Sequence, residues 1–169
     1  MSITIHDLIN TLPQEGSVEW IGVRPKPIKT PAGFNQKQPM LVVDQVEARE
    51  GYGLTGDRYS KKGGKRQVTL IQWEHIPVIA SLVHTENVHL YDLRRNIAVS
   101  GINLLALKNK RFAIGDAIFE YTGLCDPCSA MEAALGDGGF NAMDGHGGIN
   151  ARIIKTGIIR LSDNVKVIA

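Results

Sequence analysis

The sequence predicts a mainly β, α+β domain: a closed or nearly closed β-barrel with a few short helices on its rim. Three observations carry this prediction. From Val18 onward the chain divides into short runs rich in valine and isoleucine, each bounded by Gly, Pro, Asn or Asp, as strands between turns are. Segments with helical spacing are few and short. Strands do not alternate regularly with long helices, which argues against a doubly wound parallel sheet.

Taken in order, "SITIHDLINTL" places Ile5, Leu8, Ile9 and Leu12 at helical spacing behind a Ser or Thr start, and Pro13 ends the run. Residues 1–16 are therefore expected to form an appended amphipathic helix, and 17–169 the barrel of a single domain. Strands are expected in 18–25, 39–48, 66–71, 96–100, 111–115, 117–123, 149–157 and 165–169. Further helices are expected in "WEHIPVIASLVH" (73–84), in a short turn at "NLLAL", and in "AMEAALG", where Gly136 serves as C-cap. The polar, proline-containing stretch 26–39 reads as a connection.

With 169 residues the chain is long enough to bury a core without disulfide staples, and 43% hydrophobic with 21% charged residues is an ordinary globular composition. The N-terminus lacks the basic start and continuous apolar stretch of a signal peptide. The longest uncharged apolar run, "IPVIASLV", is too short to span a bilayer, so a cytoplasmic protein with no membrane association is expected. A net charge of +2 excludes bulk nucleic-acid binding. The basic residues are nevertheless clustered: Arg58, Lys61, Lys62, Lys65 and Arg66 lie together, and Arg94 and Arg95 follow in "LRRN". Guanidinium groups suit bidentate capture of phosphate or carboxylate.

Two patterns mislead. "GYGLTG" (51–56) matches the dinucleotide fingerprint, but a turn and a strand follow where that fingerprint requires a helix. The five histidines are scattered, and none pairs with the cysteines at zinc-finger spacing.

The chain has two cysteines, both in "TGLCDPCSAMEAALG". Two thiolates supply half of a structural zinc site, and a disulfide closing so small a loop removes little chain entropy. A thioredoxin-like dithiol, or a thiolate reserved for a metal or a sulfur atom, remains. Against the dithiol stands the short helix that follows, which runs into "GDGGFNAMDGHGG", expected to be a glycine-laden loop with His146 in its middle. "SAME" reads as a capping box, Ser129 at the N-cap and Glu132 at N3. Cys128 then precedes the positive pole of a helix, which favours a nucleophilic or metal-binding thiolate. Cys125 reads equally as a small buried hydrophobe, a resolving thiol or a direct participant.

The motifs "GLTGDRY", "RQVTLIQWE", "LRRNIAVSGINLLAL", "RFAIGDAIFEYTGLCDPCSAME", "GHGGINARIIKTGIIR" and "SDNVKV" occur in this order, and together they resemble a stand-alone member of the MOSC family, the molybdenum cofactor sulfurase C-terminal domain. The resemblance runs from about Val18 to the C-terminus. It implies a MOSC-type β-barrel that binds the molybdenum-pyranopterin cofactor or a sulfur species destined for it. It implies Cys128 as the thiolate on molybdenum or as a persulfide carrier, with Cys125 as a variable partner. By the same resemblance Arg58, Arg66, Arg95 and Asn96 line the pocket, His146 and Arg152 close it, and Asp57 and Tyr59 flank it. Two positions depart from the family pattern. Tyr59 stands where the family commonly has His, and "LSD" replaces the usual Gly before Asp163. A tyrosine donates a hydrogen bond but cannot be protonated or ligate a metal as histidine does.

Three functions follow as expectations: a molybdenum-dependent oxidoreductase of N-hydroxylated or oxo-transfer substrates, a carrier of persulfide sulfur or of the cofactor, and, more weakly, a thiol-disulfide oxidoreductase. The first needs a separate electron-donor reductase, since no flavin, haem or iron-sulfur motif is present. The second needs a pyridoxal-phosphate-dependent cysteine desulfurase as partner, because this chain has no room for a pyridoxal-phosphate domain.

Overall fold

The computed structural model describes residues 2–168. The first half of the chain forms α1 (Ile5–Asn10), β1 (Gly16–Val23), β2 (Ile28–Lys29), β3 (Asn35–Gln36), β4 (Leu41–Val42), β5 (Gln45–Arg49), β6 (Gly53–Leu54), β7 (Val68–Gln72) and α2 (His75–Leu82). The second half adds α3 (Leu90–Leu93), β8 (Ile97–Ser100), a 3-10 turn (Leu104–Leu107), β9 (Arg111–Ile114), β10 (Ala117–Leu124), α4 (Ser129–Leu135), α5 (Gly139–Met143), β11 (Ile149–Lys155), β12 (Gly157–Arg160) and β13 (Asn164–Ile168).

Seven strands close a mixed barrel in the order β13-β9-β10-β11-β7-β8-β1, and β1 returns to β13 through the pairs Gly16↔Val165 and Ser17↔Asn164. All neighbours are antiparallel except β7 and β8, which run parallel with Leu70 beside Ile97. Parallel strands need a long crossover, and α2 and α3 lie on it. β4 extends the barrel sheet from β1, while β12, β5 and β6 form a separate small sheet.

Side-chain alternation divides the core in two. Leu70, Ile97 and Val99 point into the barrel with Ile21, Phe112, Phe119 and Ile149. Their neighbours Ile71 and Ala98 point outward and are covered by Ile79 of α2, Leu93 of α3, Met131 of α4 and Met143 of α5. β7 and β8 are thus buried along both faces; β8 reads as an apolar run, while β7 also encloses the polar Thr69 and Gln72. Strands with one solvent face, such as β13, show alternation instead. Phe112 and Phe119 face each other across β9 and β10 with their rings stacked at 5.6 Å.

Several sequence expectations change. The stretch 39–48 does not form one strand: β4 stays with β1, and at Asp44 the chain leaves for the small sheet, where the Asp44 carbonyl accepts from the Leu161 N–H. The strand expected at 149–157 stops at Lys155, and β12 begins a new pairing with β5. The glycine-rich stretch 136–148 contains α5, anchored by buried Ala142 and Met143. The N-terminal helix is capped by Thr4 and Asp7, whose side chains reciprocally satisfy each other's backbone N–H. Its apolar residues Ile5, Leu8 and Ile9 are nevertheless exposed, and only Leu12 beyond it packs on the barrel core. Among the described residues no helix is long and apolar enough to cross a membrane.

A buried polar knot ties β1, β7, β8 and the turn at Asp57 together. Asn96 is fully buried: its Oδ1 accepts from Thr69 N and Oγ1 and from Arg24 Nη2, while its Nδ2 donates to the Gly22 carbonyl and to Asp57 Oδ1. Asp57, likewise enclosed, accepts from the Arg24 backbone N–H and forms a 2.9 Å ion pair with Arg24 Nη2. Substituting Asn96 by Leu leaves the Thr69 N–H and the Gly22 carbonyl buried with fewer partners. A loss of about 3 kcal/mol in unfolding free energy is expected, read from the denaturant midpoint. An unchanged midpoint would mean that the knot contributes no stability.

Candidate functional site

Five chain segments meet at one rim of the barrel. Arg24 follows the C-terminal end of β1, Arg95 precedes β8, Cys125 follows β10, Asn150 is near the start of β11, and Thr69 lies near the start of β7. Antiparallel pairing of β1 with β8 and of β10 with β11 puts these ends on the same side. They surround a cavity of about 240 Å³ whose wall also includes Tyr59, Arg66, Arg94, Asp126, Cys128 and Met131. A neighbouring cavity of about 370 Å³ shares Arg24 and Arg94 with it and adds Lys37, Arg58 and Tyr91. A smaller one of about 130 Å³, against Gly145, Gly147 and Gly148, shares Cys125 and Asp126. The roughly 300 Å³ cavity between β5 and Ile158 carries neither a thiol nor an arginine.

The cysteine loop is shaped by Arg95. This side chain is 5% exposed; its Nε donates to the Gly147 carbonyl at 2.9 Å, Nη1 to Leu93 at 2.8 Å and Nη2 to Cys125 at 3.3 Å. Every one of these acceptors is a neutral carbonyl. Among the described residues no carboxylate forms an ion pair with Arg95, so a buried cation faces the cavity with the two thiols and the exposed Asp126 as its potential counter-charges. Close approach of the backbone makes this arrangement possible. A Cβ on Gly147 would overlap the Cys125 carbonyl, and one on Gly148 would overlap the Leu70 carbonyl. Gly148 also takes φ +84°, a conformation costly to other residues.

Both cysteines are free, Cys125 half-buried and Cys128 exposed. Burial pushes the Cys125 thiol up, with Arg95, Arg24 and Arg66 opposing. The expected capping box is absent. Cys128 itself occupies the N-cap of α4, and Ser129 is the first helical residue. Glu132 points forward instead, accepting from the Gly138 and Phe140 N–H groups at 2.8 Å, so it pins the α4–α5 connection rather than the start of α4. Those two bonds hold its carboxyl below the usual range.

Of the residues singled out from the sequence, the structure brings Cys128, Cys125, Arg66, Arg95 and Tyr59 to the central cavity, with Arg58 on the adjoining one. Asn96 and Asp57 lie beneath the wall in the buried knot, where they orient Arg24. His146 bonds the Ala142 carbonyl and meets His75 edge-on at 5.0 Å, outside the cavity wall. Arg152 is displaced altogether: Ala151 and Ile153 of β11 point inward, so Arg152 points out and pairs with Glu120.

Sequence reasoning missed Arg24, Arg94 as a wall residue, and Asn150. Asn150 Nδ2 donates to the Leu124 carbonyl at 2.8 Å, which orients the amide, and its buried Oδ1 has no partner among the described residues. A polar residue inside an apolar strand was the available signal. Tyr59 sits among arginines: Arg58 Nη2 and Arg94 Nη2 donate to its phenol oxygen at 3.0 and 3.1 Å, and Arg24 stacks 4.2 Å above its ring.

This cavity can hold an anion that needs N–H acceptors and soft ligands. Four guanidinium groups face one carboxylate, Asp126, and the orphaned Asn150 oxygen requires a donor from whatever enters. A pyranopterin carrying phosphate, dithiolene and molybdenum meets both demands, with thiolate as the matching soft ligand. The protein is a small closed mixed β-barrel domain with a thiol-bearing, arginine-walled cavity at one rim. The MOSC domain model matches residues 55–166, and the chain belongs to that family, which is associated with molybdenum cofactor. Solved structures with the same fold include the YuaD protein from Bacillus subtilis, at 19% identity and TM-score 0.74, covering 93% of this chain and 98% of that one. YiiM from Geobacillus stearothermophilus is similar at 17% identity and TM-score 0.68 (91% and 75% covered), and YiiM from Escherichia coli at 18% and 0.63 (86% and 69%). No curated protein matches the chain.

The two thiols are expected to separate on alkylation. With its folded-state value raised, Cys125 forms thiolate only at higher pH than an ordinary cysteine, so at neutral pH iodoacetamide should label Cys128 first. Cys125 labelling should rise steeply only above the usual cysteine range. Peptide mass spectrometry over a pH series reads both; equal labelling at neutral pH would contradict the assignment.

Proposed function

We propose that this chain carries a molybdenum-pyranopterin cofactor in the rim cavity and acts as a molybdenum-dependent oxidoreductase of N-hydroxylated or other oxo-transfer substrates. The observation that carries the reading is Arg95: a buried guanidinium with no carboxylate partner, placed beside two thiols. Such a charge is costly unless an anion accompanies it. Membership of the MOSC family supports the same direction.

In this reading Cys128, exposed at the cavity wall, supplies the thiolate for molybdenum. Arg24, Arg66 and Arg94 take the phosphate and the remaining negative charge, and Asn150 Oδ1 accepts from a pterin N–H. Gly147 and Gly148 pack their backbone against the Cys125 and Leu70 carbonyls and so fix the cysteine loop beside the cavity. When bound, the cofactor supplies two-electron oxygen-atom transfer. Everything else in the reaction falls to the chain: Arg95 holds the loop that presents both sulfurs, and the apolar side of Met131 excludes water from one wall. Electrons come from a separate reductase, and the cytoplasm is the compartment in which such a pairing would occur.

The second free thiol favours one further reading. Cys125 and Cys128 share a cavity, which suits a persulfide carrier that receives sulfur from a cysteine desulfurase and passes it on.

Protein purified from a host that makes the cofactor should contain molybdenum and, after oxidation, fluorescent pterin. Cys128→Ser should lose the molybdenum and at least about tenfold in retained cofactor, while Cys125→Ser keeps both. Wild type with no molybdenum but a persulfide detected by mass spectrometry would overturn the oxidoreductase reading in favour of the carrier. Loss of molybdenum in Cys125→Ser alone would mean that the other sulfur is the ligand.

A further inference from the structure

Tyr59 Oη has an unusual set of neighbours. A phenol offers one O–H donor and accepts through its lone pairs. Here both Arg58 Nη2 and Arg94 Nη2 donate to it, at 3.0 and 3.1 Å. A guanidinium has no acceptor, so the tyrosine proton cannot go to either. Arg24 takes the ring face at 4.2 Å and Arg58 lies 4.8 Å from the ring centre, which leaves no acceptor there either. Among the described residues no hydrogen bond from Tyr59 Oη to an acceptor is found. The side chain lines the cysteine cavity and is 45% exposed.

We propose that Tyr59 is the proton donor of the cysteine cavity, its O–H directed by Arg58 and Arg94 towards an oxygen of the bound ligand. This rests on the cavity being the reaction site and adds to that reading a named acid. The step is a proton transfer without redox change. The O–H bond breaks with its electron pair left on Oη, the proton passes to a basic oxygen of the ligand, and the phenolate is held between Arg58 and Arg94. Water then returns a proton to Oη, which its exposure allows.

The surrounding charges point the same way. Burial pushes the phenol up, but Arg58, by hydrogen bond and charge, and Arg94 and Arg24, by charge, outweigh it and hold Tyr59 below the ordinary tyrosine range. Arg24 arrives from the end of β1, Arg94 from the end of α3, and Arg58 from the turn of Tyr59 itself. Arg66, Arg95, Asp126 and the two cysteines complete the titratable and charged groups facing this cavity. A tyrosine is neutral before it gives up its proton and anionic after.

The test uses ligand-free protein and two readouts. In an ultraviolet phenolate titration, one of the four tyrosines should ionise before the others. That step should vanish in Tyr59→Phe and move to higher pH in Arg94→Ala. Sulfate, which stays fully ionised throughout, is the probe for the cavity. Sulfate affinity should fall as pH rises through the Tyr59 ionisation, because a donor is lost and a negative charge appears. Tyr59→Phe, which keeps the ring under Arg24, should bind sulfate about tenfold more weakly at neutral pH, as expected for one lost hydrogen bond to a charged acceptor. It should also lose that part of the pH dependence, and the difference between the two proteins reads Tyr59. The proposal is overturned if the early phenolate step survives in Tyr59→Phe, or if sulfate binding and its pH dependence are the same in the two proteins. Molybdenum-free wild type would sink the oxidoreductase reading while leaving both of these readouts intact.

Discussion

The structure depends on the enclosed carboxylate of Asp57 and the amide of Asn96 that share Arg24. A buried carboxylate is tolerated only when its lone pairs are filled, and here they are filled by the Arg24 backbone, the Arg24 guanidinium and Asn96. The same contacts tie the ends of three neighbouring strands to a turn that has no ladder with them. β1 reaches β8 through Gly22, β7 enters through Thr69, and the turn carrying Arg58 and Tyr59 is fastened by Asp57. Without that fastening the arginine-rich turn would have no defined position relative to the rim. The geometry of the cavity wall is therefore inherited from a knot whose enclosed members, Asp57 and Asn96, lie behind that wall.

Arg95 plays the complementary part on the other side of the cavity. Its four hydrogen bonds go to Leu93, Cys125, Gly147 and the sulfur of Met131, which belong to four separate segments. A lysine could not reproduce this, since the planar fork fixes several directions at once. Because all four acceptors are neutral, the guanidinium both shapes the cysteine loop and keeps its positive charge available to the cavity. Arg24 differs: it is paired with Asp57, which fixes its direction, yet its charge still acts on Tyr59 and Cys125 across the cavity.

The barrel was largely legible because strand cores announce themselves. β7, β8 and β11 coincide with runs rich in valine or isoleucine, β9 and β10 with apolar stretches around Phe112 and Phe119, and the two-sided burial of β8 shows as absence of alternation. What escaped has identifiable physical causes. α5 begins at a glycine and spans five residues, too few for periodicity to register, and is held by Met143 in the outer core. The S-x-x-E pattern suggested a cap, but the Glu132 carboxylate found two free N–H groups further along the chain. Arg152 and Asn96 were assigned by resemblance, whereas strand alternation turns the first outward and the knot encloses the second. Cys128 and the arginine clusters could be read because their chemistry is distinctive. The orphaned oxygen of Asn150 could not, since whether a polar atom has a partner is a property of three dimensions.

The seam between β1 and β13 has a consequence for how the molecule is made. The first barrel strand to leave the ribosome and the last are the two that seal it, so β1 must wait until nearly the whole domain has emerged. In the interval its edge toward β13 presents unpaired backbone, a template for promiscuous strand addition. The long separation between those partners also raises the entropic cost of the final closure and slows it. Chaperone demand during biosynthesis should therefore concentrate at the moment of sealing rather than on the helices of the rim.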